Sequence, residues 1–157
     1  MQGTASKVVL FLAAMTITGA LFADGHAVIE AAVGNAARPE ADRERDADRK
    51  PDQVLEFFEI EPGMKVVDIF AGGGYYAVIH RYVVGEEGDD VLYKNGGWDG
   101  LVGAGVEERL EGNRLPNVRS VVMEANELAL EANHYDAAVF VLGFHDLYYE
   151  ASGWPAI

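Results

Sequence analysis

Lys65-Val66-Val67-Asp68-Ile69-Phe70-Ala71-Gly72-Gly73-Gly74-Tyr75-Tyr76 decides the fold of this chain. An apolar run of strand length carries one acid, meets three consecutive glycines and passes into residues that a helix accepts. The pattern predicts a strand over Met64 to Ile69, a tight turn, and a helix from Tyr75 to about Val84, the opening βα unit of a nucleotide-binding α/β domain. Without side chains at 72–74, a ligand can approach main-chain N–H groups at the start of the helix.

Upstream, Glu61-Pro62-Gly63 turns the chain into that strand. Pro51 suits the first position of a helix whose apolar stripe is Val54, Leu55, Phe57 and Phe58. Ala27 to about Ala37 reads as helical or irregular. In Pro39 to Lys50, Glu40, Asp42, Glu44, Asp46 and Asp48 interleave with Arg43, Arg45, Arg49 and Lys50. With Arg38 this reads as a solvated, salt-bridge-laced face.

Downstream, Val91-Leu92-Tyr93 is the core of a second strand and Asn95 to Gly100 a glycine-rich loop. A second helix is expected over Leu101 to Leu110 and a third strand over Val118 to Met123. Ala137 to Leu142 is a continuous apolar run, as in a parallel strand buried on both faces. Strands alternating with helical segments predict parallel βα units. The fold class expected is α/β, a Rossmann-like three-layer sandwich with a mostly parallel sheet, incomplete at about four strands. Residues 1–23 are expected to be a signal peptide or anchor, 24–50 a charged helical segment, and 51–157 the N-terminal part of the Rossmann-like domain.

With 12 Lys plus Arg against 26 Asp plus Glu, the net charge of the 157 residues is −14. Such a field repels phosphate backbones, so no nucleic-acid partner is expected. The chain has no cysteine, which excludes disulfides, thiolate nucleophiles and Cys-based zinc sites. Its His residues, His26, His80, His134 and His145, lack metal-ligand spacing, and no metal is expected. After Lys7, the uncharged, mostly apolar stretch Val8 to Phe22 is shorter than the ~20 residues of a membrane span and is followed by small residues suited to cleavage. Export, to the periplasm, is expected, with any membrane contact confined to this segment.

The glycine turn fits two cofactor templates. Gly72, Gly74 and Ala77 satisfy the dinucleotide fingerprint, a weak signal alone. Asp68, Gly72 and Gly74 satisfy the methyltransferase turn, with Phe70 in place of its first glycine. Asp68 favours the second template. A carboxylate just upstream opposes a pyrophosphate, whereas S-adenosylmethionine carries no phosphate and has cationic groups.

Arg49-Lys50-Pro51, Leu55-Glu56-Phe57-Phe58, Pro62 to Tyr76, Arg114 to Val118 and Gly143-Phe144-His145-Asp146-Leu147-Tyr148-Tyr149 together resemble the predicted class I S-adenosylmethionine-dependent methyltransferases of bacteria that carry an N-terminal export signal. Members run on to complete a larger Rossmann-like sheet, so the chain is expected to be the N-terminal part of such a protein. The resemblance implies that Asp68, Gly72 and Gly74 hold the methionine end of S-adenosylmethionine, with Phe70, Ala71, Gly73 and Tyr75 as further cofactor-binding residues of the turn. It places Asn95 where an acid normally grips the ribose hydroxyls, and Glu124 with Ala125 at the adenine.

Tyr75 and Tyr76 are candidates to lie against a sulfonium through their ring faces, although aromatics opening a helix also read as packing. His145 and Asp146, after the fourth strand, stand at the carboxyl edge where open α/β sheets bind ligands. They are the candidate catalytic pair, His145 taking a proton from a nucleophile on a small-molecule methyl acceptor. Two alternatives stay open: an NAD(P)-dependent oxidoreductase or other dinucleotide binder, and a non-catalytic Rossmann-like binding protein or inactive fragment.

Overall fold

The computed structural model describes residues 25–124, 126–127 and 129–145. The signal segment 1–23, Ala125, Asp146 and the following Leu147-Tyr148-Tyr149 lie outside them. Among the described residues, helices α1 (Gly25–Val33), α2 (Glu40–Arg43), α3 (Asp46–Arg49) and α4 (Pro51–Phe57) precede the first strand. Then follow β1 (Lys65–Ile69), α5 (Tyr75–Val84), β2 (Asp89–Lys94), α6 (Gly96–Leu110), β3 (Val118–Val122) and β4 (Ala137–Val139). No described helix is long and apolar enough to cross a membrane.

The strands form one sheet, order β3-β2-β1-β4, and every pairing is parallel. The expected α/β, Rossmann-like architecture is therefore present. The register decides what faces what. Asp68 stands opposite Leu92, and Val66 opposite Asp90, so the two-residue period of a strand puts all four on one face. That face receives α5 and α6. Val66 packs with Ile79 and Val83, and Leu92 with Ala77, Val78 and Val106. On the other face Val67, Phe70, Val91 and Tyr93 are covered by Leu130 and Tyr135 of the β3–β4 crossover, with Trp98 and Phe140. Lys65 anchors the return of the chain: its N–H donates to the Asp136 carboxylate at 2.9 Å, and the Asp136 N–H to its carbonyl at 2.9 Å.

Four details differ from the sequence expectation. The loop expected over Asn95–Gly100 is helical from Gly96, because buried Asn95 caps it, its Oδ1 accepting from the Trp98 N–H at 2.8 Å. β4 is shorter than the apolar run and is not buried on both faces, since Ala138 is exposed. It stops where Phe140 turns in to meet Phe70 and the backbone at Leu142 goes left-handed, φ 58. In α4 the apolar stripe is only half used: Leu55 is fully buried, while Phe57 is 81% exposed.

The fourth difference is the charged segment: Glu40, Arg43, Glu44, Arg45, Asp48 and Lys50 are exposed as expected, but the segment has a second, buried face. Arg38 and Asp42 are each 2% exposed. The Arg38 guanidinium grips Asp46 through two hydrogen bonds of 2.7 and 2.8 Å, and the Tyr75 hydroxyl donates to Asp46 at 2.5 Å. Arg109 of α6 holds Asp42 in the same forked way, the longer bond being 2.8 Å. These pairs strap α2 and α3 onto the sheet's helical face. The chain breaks after α3 because Pro51 disfavours helical backbone in the residue before it, and Lys50 adopts φ 46.

Removing one partner of such a pair leaves the other buried and uncompensated. Asp42→Ala is expected to lower stability by about 2–3 kcal/mol in urea unfolding, whereas Glu44→Ala on the exposed side changes it by less than ~0.5 kcal/mol. Equal effects would show that the strap is solvated after all.

Candidate functional site

The carboxyl end of β1 carries three left-handed residues within five. Phe70 has φ 53, Gly72 φ 56 and Gly74 φ 79. Glycine adopts such backbone without strain; phenylalanine does not, and its neighbours hold it there. The Phe70 N–H donates to the Tyr93 carbonyl at 2.9 Å. Its ring stacks on Tyr93 and Trp98, centroids 6.1 and 5.6 Å away, and meets Phe140 edge-on at 5.5 Å. At Gly74 a Cβ would come within 3.0 Å of the Arg109 side chain, so both conformation and space call for glycine.

This turn walls a cavity of about 160 Å³. Asp68, Phe70, Ala71, Gly72, Gly73 and Tyr75 line it, as do Tyr76, Trp98, Arg45, Arg49 and residues 141–143. Asp68 is its one carboxylate. It is 2% exposed, and its Oδ2 has no hydrogen-bond partner among the described residues. Burial raises its pKa to about 7; the positive charge of His80 draws it down and Asp90 pushes it up. His80 is fully buried on α5, its Nδ1 3.1 Å from Oδ2 of Asp90. Burial works against a charged imidazole there, but Asp90 and, less strongly, Asp68 outweigh it and raise the pKa of His80.

Tyr75 lines the cavity and is at the same time tied to the strap. The guanidiniums of Arg38, Arg45 and Arg49 stand 5.6, 5.3 and 5.0 Å from its ring centroid. Its pKa is raised by burial and by the Asp46 carboxylate that accepts its proton. Asp46 itself stays below the ordinary value: burial would raise it, but hydrogen bonds from Arg38 and Tyr75 win.

The other sequence candidates fall elsewhere. Asn95 and Glu124 meet at the N-terminus of α6, where Asn95 caps the helix and Glu124 Oε1 accepts from the Gly96 N–H at 3.1 Å. Both stand at the carboxyl ends of their strands but do not line the cavity. Gly74 shapes the turn from behind. His145 is exposed, two residues past the cavity residue Gly143, and does not line the cavity. Arg45 and Arg49 were missed as wall residues. Their i, i+4 spacing beside Arg38, a single face if helical, was the available signal.

Three comparisons bear on this geometry. The family model of protein-L-isoaspartate(D-aspartate) O-methyltransferase matches residues 47–126, just over half of the chain. Among solved structures, a SAM dependent methyltransferase from Aquifex aeolicus is 26% identical with a TM-score of 0.58, the match covering 69% of this chain and 56% of that one. A protein-L-isoaspartate O-methyltransferase structure is 26% identical, covering 57% of this chain and 27% of that one, with a TM-score of 0.44. No curated protein matches. The chain thus spans about half the length, or less, of the solved structures it is similar to.

The raised pKa of Asp68 has a stability consequence of defined sign. Between the ordinary carboxylate value and about 7 the folded chain holds a proton that the unfolded chain has lost. The stability it contributes is therefore full below the unfolded pKa and gone once pH has risen through the folded one. Asp68→Asn, which cannot ionise, is expected to melt about 4 °C or more above the parent at pH 8 and close to it near pH 4. A constant difference across that range would contradict the assignment.

Proposed function

The chain belongs to the protein-L-isoaspartate(D-aspartate) O-methyltransferase family, and from that premise we propose that it binds S-adenosylmethionine at the glycine turn and passes the methyl group to a nucleophilic acceptor. The observation that carries the proposal is the buried, unpartnered carboxylate oxygen of Asp68, facing a cavity that also holds Arg45 and Arg49. One anion and two guanidiniums suit the amino-acid end of the cofactor: Asp68 receives its cationic groups, and Arg49 with Arg45 its carboxylate. The cavity is smaller than the ~300 Å³ at which whole-ligand pockets begin, so it fits that end and not the nucleoside. Asn95 and Glu124, joined through the α6 N-terminus, are the residues proposed for ribose and adenine.

When bound, the cofactor supplies an electrophilic methyl on a sulfonium that leaves as a neutral thioether, and no metal is called for. The work left to the chain is alignment and exclusion of water. The turn at Phe70 to Gly73 fixes the floor, and Phe70 and Trp98 line the cavity with aromatic rings. His145 is the proposed general base, taking the proton from an acceptor oxygen or nitrogen. The acceptor is proposed to be a small molecule. A dinucleotide cofactor is the weaker reading, because its pyrophosphate would meet Asp68.

Calorimetric titration of S-adenosylhomocysteine into the full chain tests the site. Binding is expected in the parent, about tenfold or more weaker in Asp68→Ala and several-fold weaker in Arg49→Ala, as for a lost charge-assisted hydrogen bond. No binding to the parent, or stabilisation by NADH instead, would sink the proposal. Methyl transfer to an isoaspartyl peptide would replace the small-molecule acceptor with a peptide carboxylate. Unchanged turnover in His145→Ala would remove the base.

A further inference from the structure

Asp68 does not act alone beneath the cavity. Along β1 it sits at the end nearest the turn, while Asp90 lies two residues further back on the neighbouring strand and on the same face. Above both runs α5. Tyr76 in its first turn lines the cavity, and His80 follows one turn deeper with its ring centroid 6.1 Å from that of Tyr76. The fully buried His80 bonds Asp90 through Nδ1, and its Nε2 has no partner among the described residues. Asp68, Asp90 and His80 thus share one dry layer between β1, β2 and α5, and only Asp68 of these reaches the cavity.

We propose that His80, held as an imidazolium by Asp90, is a positioning residue that sets the charge Asp68 presents to the cavity, and that binding of a cationic ligand is thereby linked to loss of a proton from Asp68. The inference rests on the assignment of the cavity to S-adenosylmethionine. Its physical basis is charge balance in a place with little water. Leaving aside Lys94, which Asp99 neutralises, with Asp68 neutral the layer holds one cation and one anion, a compensated pair. With Asp68 ionised it holds two anions and one cation, and the missing positive charge must come from the cavity. An ammonium or sulfonium arriving there completes the balance, and the carboxyl proton leaves to solvent.

The other groups facing Asp68 do not replace His80. From α5 there is Tyr76, whose pKa is raised, first by burial, with Asp68 also contributing. From β4 the register partner is the apolar Val139. From the α2–α3 segment Arg45 and Arg49 share the cavity, but Arg45 is exposed and Arg49 half-buried, so solvent screens both. From β2 the fully buried Lys94 shares this face, two residues past Leu92, but its ammonium is committed to Asp99 of α6 at 2.5 Å. Removal of His80 leaves Asp68 beside Asp90 with no uncommitted buried cation between them among the described residues.

The test is a ¹³C-carboxyl NMR titration of the full chain, with the Asp68 resonance identified by its loss in Asp68→Asn. The parent is expected to titrate at about 7. In His80→Gln the midpoint is expected to rise by about one unit or more, and in Asp90→Asn, which strips His80 of its proton-holding partner, to rise less. A purely structural His80 would lower stability and leave the midpoint in place, and an unmoved midpoint overturns the proposal. Should His80→Gln not fold, the imidazole ¹⁵N shifts of His80 in the parent decide: an imidazolium at pH 7 is required, and a neutral ring overturns it.

Titration with S-adenosylmethionine then reads the linkage. Affinity is expected to fall about tenfold per pH unit below the Asp68 midpoint. At pH 7, buffers of different ionisation enthalpy should report release of about half a proton. Binding that is flat between pH 5.5 and 8.5 overturns the linkage. Absence of binding at every pH, with the carboxyl still responding to His80→Gln, overturns the cofactor assignment instead.

Discussion

The structure depends on the reversal of the chain at the end of β1, where Phe70, Gly72 and Gly74 all take left-handed backbone. A parallel strand must hand over to a helix that packs back across its own sheet. Doing so within five residues requires dihedral angles that most side chains resist. Two glycines absorb the demand. Phe70 meets it because its ring is fixed among Tyr93, Trp98 and Phe140, so packing on the far face of the sheet holds the backbone that shapes the cavity on the near one. From that reversal follow the start of α5 at Tyr75, the seating of His80 over Asp68 and Asp90, and the bare walls at Gly72 and Gly73.

The second organising element is the strap of α2 and α3. Arg38 braces Asp46 within it, the Tyr75 hydroxyl ties Asp46 to α5, and Arg109 ties Asp42 to α6. Buried ion pairs of this kind contribute little net stability but fix geometry, since breaking either partner strands a charge. Their product here is placement: Arg45 and Arg49 are brought over the Tyr75 ring and into the cavity wall. The cavity is thus closed on one side by a segment that precedes the domain's first strand.

Much of this was legible in the linear chain, for identifiable reasons. Local periodicity and turn residues suffice for β1, α5 and the glycine turn, because the apolar run, Gly72–Gly74 and the helix-compatible residues are contiguous. Asp68 could be singled out because its chemistry opposes one cofactor class and suits another. By contrast, that Asn95 caps α6 was not legible beside its reading as a ligand residue, and Phe57 looked like core and is exposed. A cap and a ligand contact draw on the same residue types, and a helical stripe gives no sign of which half of it meets a neighbour.

From its own residues the chain states that an α/β domain opens at Lys65, that its glycine turn bares the backbone, and that an acid stands before it. These are short-range facts, carried by spacing and side-chain chemistry. That His80 and Asp90 underlie Asp68, that Arg38 and Asp42 are buried, and that Arg49 faces a cavity are long-range facts. They arise from the register of β1 on β2, from α5 folding back over both, and from α3 being tied to Tyr75. Burial and charge pairing depend on what lies across the fold rather than next in the chain, and only packing brings residues 49, 68, 80 and 90 into one site.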